Sequence, residues 1–295
     1  MKFDLVFDCN VVLAETPIWD ARNSKLYWTD LFAGDVHEYC PATQNDIMWK
    51  TGKPIGTAVP CDKEGLFFVA LEDGMFLFEA ETGKLELIAD PEPGRDENRY
   101  NDSRVDAAGR IFTSSVSCLY ATDDYKPDML GSFYMVDTDK TVHTIVEGIN
   151  QYNAIVWNAD NTKMFVVDTF NQTLLVFDYD IDSGPKGAQK VALEFGELGT
   201  PDGLSIDTLD NLYVCHWTGK ISVWDKDLNA KEVWDFPVPQ VCCSGFGGAD
   251  MKEFYVATAR YGYTPEQLEN RNGAGGIFMG RNEVAGAADH FYKVK

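Results

Sequence analysis

One phrase recurs along the chain and limits the folds open to it. A turn rich in Asp, Asn, Gly or Lys leads at once into a short aromatic and β-branched run. The runs lie at residues 26–29, 66–69, 111–113, 164–167, 212–214 and 254–256. Just before them stand Asp20-Ala21, Asp62-Lys63, Asp106-Ala107, Asn158-Ala159, Asp207-Thr208 and Ala249-Asp250. Side chains of this kind fit a pleated, buried surface, so each run reads as a strand. The six copies are spaced by about 40 to 53 residues, the length of a four-stranded propeller blade. Further strands follow most runs, as in Gly74-Met75-Phe76-Leu77-Phe78 and Thr173-Leu174-Leu175-Val176-Phe177. A pair of β-sandwiches also supplies many short strands, but it needs no repeat this regular. The fold class expected is therefore all-β, a six-bladed β-propeller.

A propeller must close its ring, or it exposes strand edges. The expected closure pairs a strand at residues 3–7 with a last strand at 290–294, which makes residues 1–295 a single domain. Helical signal is confined to Thr264-Pro265-Glu266-Gln267-Leu268-Glu269, where a capping Thr precedes Pro at the first helical position.

Charge narrows the partners. The formal net charge is −22 at pH 7, which repels nucleic-acid phosphates and anionic lipid headgroups. No apolar run approaches the ~20 residues that span a bilayer. Asp4 and Asp8 interrupt the opening residues where a signal peptide needs an apolar stretch, so a cytoplasmic location is expected. The seven cysteines include no C-x-x-C pair, and most read as buried small apolar residues, the neighbours Cys242 and Cys243 among them.

Inner strands of a propeller direct their ends at the central channel, where one polar residue per blade can converge. Glu15, Asn101, Asn153 and Asp202 each lie about five to twelve residues ahead of a repeat strand. Two carboxylates and two amide carbonyls form an all-oxygen set that suits Ca²⁺, with Mg²⁺ or Mn²⁺ on the same donors. The same residue types also form turns before strands, and the pattern alone leaves both readings open.

A resemblance adds to this reading. Glu15-Thr16-Pro17-Ile18-Trp19, Asn98-Arg99-Tyr100-Asn101-Asp102, Asn153 and Pro201-Asp202-Gly203 resemble motifs of the gluconolactonase, regucalcin (SMP-30) and luciferin-regenerating enzyme family. So do Cys242-Cys243-Ser244-Gly245-Phe246-Gly247-Gly248 and Gly273-Ala274-Gly275-Gly276-Ile277-Phe278, in order along essentially the whole chain. The resemblance implies a metal-dependent lactonase that opens sugar (aldono-) 1,4- or 1,5-lactones. It implies Glu15, Asn153 and Asp202 as metal ligands, Asp202 also as general base, and Arg99 and Asn101 as substrate-binding residues. The cofactor expected is one divalent ion, Ca²⁺ ahead of Zn²⁺, Mn²⁺, Mg²⁺ or Fe²⁺. The partner expected is a small-molecule sugar lactone, taken up by a monomer or weak dimer.

The chain departs from that family in three places. Thr16 stands where Gly or Ser is usual, Ala154 where Gly is common, and 114–119 reads Ser-Ser-Val-Ser-Cys-Leu instead of a stretch containing acidic residues. Two further segments, 89–97 and an insertion at 120–130, are expected to shape specificity. Asp102 is an alternative base.

Other chemistries find little support. No Gly-x-Ser-x-Gly elbow marks a serine esterase, and Gly245-Phe246-Gly247-Gly248 lacks the Lys-Ser/Thr of a phosphate loop. The four histidines, His37, His143, His216 and His290, show no carboxylate partner, which disfavours a zinc–histidine cluster. Two other functions fit the same scaffold: hydrolysis of phosphotriesters or other esters, and non-catalytic binding by one propeller face.

Overall fold

The computed structural model describes residues 1–119 and 130–295. It contains six four-stranded antiparallel sheets arranged as a six-bladed β-propeller. In chain order the inner strands are Ala14–Asp20, Ile55–Pro60, Asn98–Val105, Tyr152–Trp157, Pro201–Ile206 and Val241–Gly247. They are buried along nearly their whole length, because blades flank both faces. The strands farthest out, such as Asn45–Lys50 and Ala230–Asp235, are mostly exposed. Between neighbouring blades the core is aromatic: Tyr213, Phe246 and Phe254 join blades five and six, with Phe246 and Phe254 centroids 4.9 Å apart.

The repeated acidic turn has a local cause. At the end of an inner strand, Asp106 Oδ1 accepts from the Arg110 backbone N–H at 2.9 Å, and Asp207 Oδ1 accepts from that of Asn211 at 2.9 Å. Asn158 does the same for Lys163 at 2.8 Å. These side chains satisfy the turn's backbone donors and send the chain back along the blade. The short helix Pro265–Leu268 has a reciprocal cap between Thr264 and Gln267.

Ring closure differs from expectation. Strand Phe3–Phe7 is the outermost strand of blade six, and it pairs with Ile277–Arg281, Phe3 opposite Gly280. Residues 290–294 are not its partner. Instead the segment after Arg281 crosses the floor of the propeller, the end away from the start of the inner strands. Ala287 N donates to Ile206 O in blade five, Tyr292 N to Pro60 O in blade two, and Lys293 N to Gly109 O in blade three. The reason lies in composition. Residues 285–288, Ala-Gly-Ala-Ala, offer no alternating face for a strand, whereas Tyr292 is a fully buried anchor whose hydroxyl donates to Asp137 O at 3.0 Å. Among the described residues, no helix is long and apolar enough to cross a membrane.

Candidate metal centre at the mouth of the axis

All six inner strands begin at the same end of the propeller, and each carries an irregularity there. Pairing with the second strand slips between Glu15 and Ile18, Ile55 and Thr57, Tyr100 and Ser103, Tyr152 and Ile155, Pro201 and Leu204, and Val241 and Cys243. A bulge re-aims the side chains beside it. It therefore falls where Glu15, Asn101, Asn153 and Asp202 stand, and gathers residues far apart in sequence. Blade two has Gly56 at its slip, where a Cβ would lie 2.4 Å from the Tyr100 carbonyl oxygen. Gly203 serves packing: a Cβ there would sit 2.5 Å from the Cys243 Cα, so its absence lets blades five and six approach beside Asp202.

The expected residues form one polar chain. Arg99 Nη1 donates to Asn101 Oδ1 at 2.8 Å, and Asn101 Nδ2 donates to Asn153 Oδ1 at 3.3 Å. Asn153 Nδ2 donates to Asp202 Oδ1 at 2.5 Å and to Thr169 Oγ1 at 3.2 Å. Glu15 approaches from blade one, and carboxylate oxygens of Glu15 and Asp202 lie within 4.8 Å of each other and of Cys243 Sγ. Burial, reinforced by the Asp202 charge, holds the Glu15 carboxyl well above its ordinary range. Burial pushes Asp202 up to about 7, although its bond from Trp217 and the charge of Arg99 pull the other way.

Two residues were not assigned to the site from sequence. Trp217 Nε1 donates to Asp202 Oδ2 at 2.5 Å, and Cys243 Sγ donates to Glu15 Oε2 at 2.7 Å. Cys243 is buried, as expected, but it faces a carboxylate. A signal for Trp217 existed: it follows the second strand of blade five, which returns to the mouth, and carries a donor on an apolar body.

Other sequence expectations resolve as follows. Asp102 Oδ1 accepts from Thr16 Oγ1, Ser103 N and Arg104 Nη1 at 3.2, 2.8 and 3.1 Å, so it is committed to an ion pair below the mouth. Thr16 adopts φ +52°, the left-handed region where Gly is at ease, and its bond to Asp102 helps hold it there. Ala154 is buried without positive φ, so the missing Gly leaves that backbone ordinary. His216 is buried between Ser222 Oγ and Gly199 O, a structural role, and burial lowers its pKa to about 4. His37 does have a carboxylate partner, Asp46 at 2.7 Å, within blade one.

Of the two segments expected to shape specificity, 120–129 lies outside the described residues. The other, 89–97, lines a cavity of about 350 Å³ together with Glu72, Asp73, Arg99 and Cys118. Its Glu92 is buried and accepts from Asn98 Nδ2, Ser115 Oγ and Tyr134 Oη at 2.7, 2.6 and 2.8 Å. That bracing sits directly before Arg99.

The donor set can be tested against a cation. Two buried carboxylates meet with neutral donors around them, and Arg99, the neighbouring guanidinium, is bonded to Asn101. Burial raises both carboxyls, and among the described residues no cationic side chain bonds either one, a need that a divalent ion satisfies. Asn153 presents Nδ2 to Asp202; a half-turn of its amide presents the carbonyl oxygen instead, with no change in the backbone. The residues fit the ion.

Comparisons with known proteins agree with the architecture. Residues 13–260 match the SMP-30/Gluconolactonase/LRE-like region. The protein YvrE of Bacillus subtilis (strain 168), named only provisionally as a sugar lactone lactonase, is 28% identical over 282 residues, 95% of this chain and 94% of that protein. The 6-deoxy-6-sulfogluconolactonase of Pseudomonas putida is 26% identical over 288 residues, 95% of each chain. The crystal structure of a calcium-binding regucalcin from Agrobacterium tumefaciens strain C58 superposes with a TM-score of 0.89 at 24% identity. It covers 98% of this chain and 96% of that one, and shows the shared fold.

Proposed function

The chain belongs to the SMP-30/gluconolactonase/LRE-like family, and we propose that it is a metal-dependent lactonase opening sugar (aldono-) 1,4- or 1,5-lactones to aldonic acids. The observation that carries this reading is the meeting of Glu15, Asp202 and Asn153 at the axis without a bonded cationic side chain. The names of the Bacillus and Pseudomonas relatives support the substrate class. In this reading Glu15, Asn153 and Asp202 hold one divalent ion. Such an ion, when bound, supplies Lewis-acid stabilisation of a developing oxyanion and acidifies water.

This chain's own residues supply the rest. Arg99, which lines the cavity, and Asn101, which accepts its hydrogen bond, bind lactone hydroxyl and carbonyl oxygens. Asp202 accepts the proton of the attacking water, which a bound ion would make more acidic. It then returns that proton to the ring oxygen as the acyl C–O bond breaks, so water and lactone yield one hydroxy acid. The protein acts as a single propeller domain over 1–295, in the cytoplasm, as a monomer or weak dimer. The test is acid release from a panel of aldonolactones, followed with a pH indicator with and without chelator. Release that stops on chelation and returns with added ion is expected; no metal-dependent release from any lactone overturns the reading.

A further inference from the structure

Glu15 is held at one oxygen by a neutral donor and Asp202 at both, and two of these donors, Cys243 and Trp217, take no part in the proton steps above. Cys243, buried in the inner strand of blade six, gives its S–H to Glu15 Oε2 at 2.7 Å. Trp217, half-buried after the second strand of blade five, gives its indole N–H to Asp202 Oδ2 at 2.5 Å. What remains for a ligand is Glu15 Oε1 and, once the Asn153 amide turns its nitrogen away, Asp202 Oδ1. Among the described residues no hydrogen-bond donor reaches Glu15 Oε1, and Asp202 Oδ1 meets the Asn153 amide.

We propose that Cys243 and Trp217 are positioning residues that set ion specificity: they confine Glu15 and Asp202 to one oxygen each, and so bias the site toward Mn²⁺, Mg²⁺ or Zn²⁺ over Ca²⁺. The inference rests on the ligand role proposed above. It reverses the order of ions expected from donor type alone, because the number of oxygens decides. Calcium takes about six to eight oxygens and often draws two from one carboxylate. The smaller ions are satisfied by about four to six donors, one oxygen per carboxylate. With one oxygen each from Glu15, Asn153 and Asp202, a larger ion must complete its shell mostly with water. Both donors reach their acceptors because of the fold: the close approach at Gly203 brings Cys243 inward, and Trp217 packs beside the apolar group Leu13, Leu31, Cys242 and Ala259.

The experiment is calorimetric titration of full-length, chelator-stripped protein with Mn²⁺ and with Ca²⁺, on wild type, Cys243→Ala, Cys243→Ser and Trp217→Phe. Wild type is expected to bind Mn²⁺ about tenfold or more tighter than Ca²⁺. Cys243→Ala and Trp217→Phe each free an oxygen and narrow that ratio by about tenfold, the scale of second-layer effects on metal sites. Cys243→Ser keeps a donor and keeps the ratio. Equal affinities in wild type, or a ratio unmoved in both Cys243→Ala and Trp217→Phe, overturn the proposal while leaving the metal site standing. A thiolate charge-transfer band on Cd²⁺ binding that disappears in Cys243→Ser also overturns it, since Cys243 is then a ligand itself. If neither ion binds wild type, the ligand role fails and the specificity argument with it.

Discussion

The mouth of the propeller and the levels below it treat buried negative charge in opposite ways. Below the mouth, Asp102 is paired with Arg104 at 3.1 Å, and Asp106 with Arg110 at 2.7 Å. At the mouth, Glu15 and Asp202 meet only the neutral donors Cys243, Asn153 and Trp217. A buried ion pair is complete within the fold, whereas buried carboxylates without a cation remain incomplete. The lower level therefore reads as scaffold and the upper level as a site, although Asn101 and Asp102 are adjacent in one strand.

The contrast can be broken most forcefully at Asp202. Asp202→Ala is expected to lower kcat/KM for a lactone by about 10³-fold, the scale of general-base loss, and to weaken metal binding measured by calorimetry. Wild-type turnover in that variant would move the chemistry away from the mouth. Next in size is Arg104→Met, which leaves Asp102 buried without its partner and is expected to cost about 3 kcal/mol in urea unfolding. Asp202→Asn in chelated protein at pH 8 should instead raise stability, because it removes a charge that has no cation. Changes of the same sign in the two variants would erase the distinction between the levels.

A smaller effect is expected from pH. The folded-state pKa of Asp202 is about 7 against an ordinary value of 3.8, so the folded protein holds an extra proton between them. That contribution to stability is fully present below the lower value and is lost as pH rises through the higher one. Chelated protein should therefore melt at progressively lower temperature as pH rises from about 4 to about 7 and level off above that, and a saturating divalent ion should flatten the slope. An identical slope with and without the ion would contradict the pairing of raised pKa and metal site. The smallest expected effect is at Thr16→Gly. Relief of a left-handed Thr offsets loss of the bond to Asp102 and of chain stiffness, leaving stability within about 1 kcal/mol of wild type.

Much of this was legible in the sequence, for a physical reason. Strand and turn signals act over a few residues, so the six runs and their Asp20, Asp106 and Asp207 turns reveal the blades directly. Glu15, Asn101, Asn153 and Asp202 are visible because the repeat puts them at equivalent places. What stayed hidden depends on how the ring closes. The contact between Cys243 and Glu15 joins residues 228 apart, and no local pattern tells which oxygen a thiol will face. The floor crossing of residues 285–293 was equally hidden, since its hydrogen-bond partners are spread over blades two, three and five.

The arrangement of blade six has a consequence for biosynthesis. Strand Phe3–Phe7 is made before all six inner strands, yet its hydrogen-bonding partner Ile277–Arg281 is made after them. Five blades can assemble as they emerge, while Phe3–Phe7 waits unpaired until the sixth is made. The sixth sheet thus joins an early-made strand to a late-made one, and the ring cannot close until both are present.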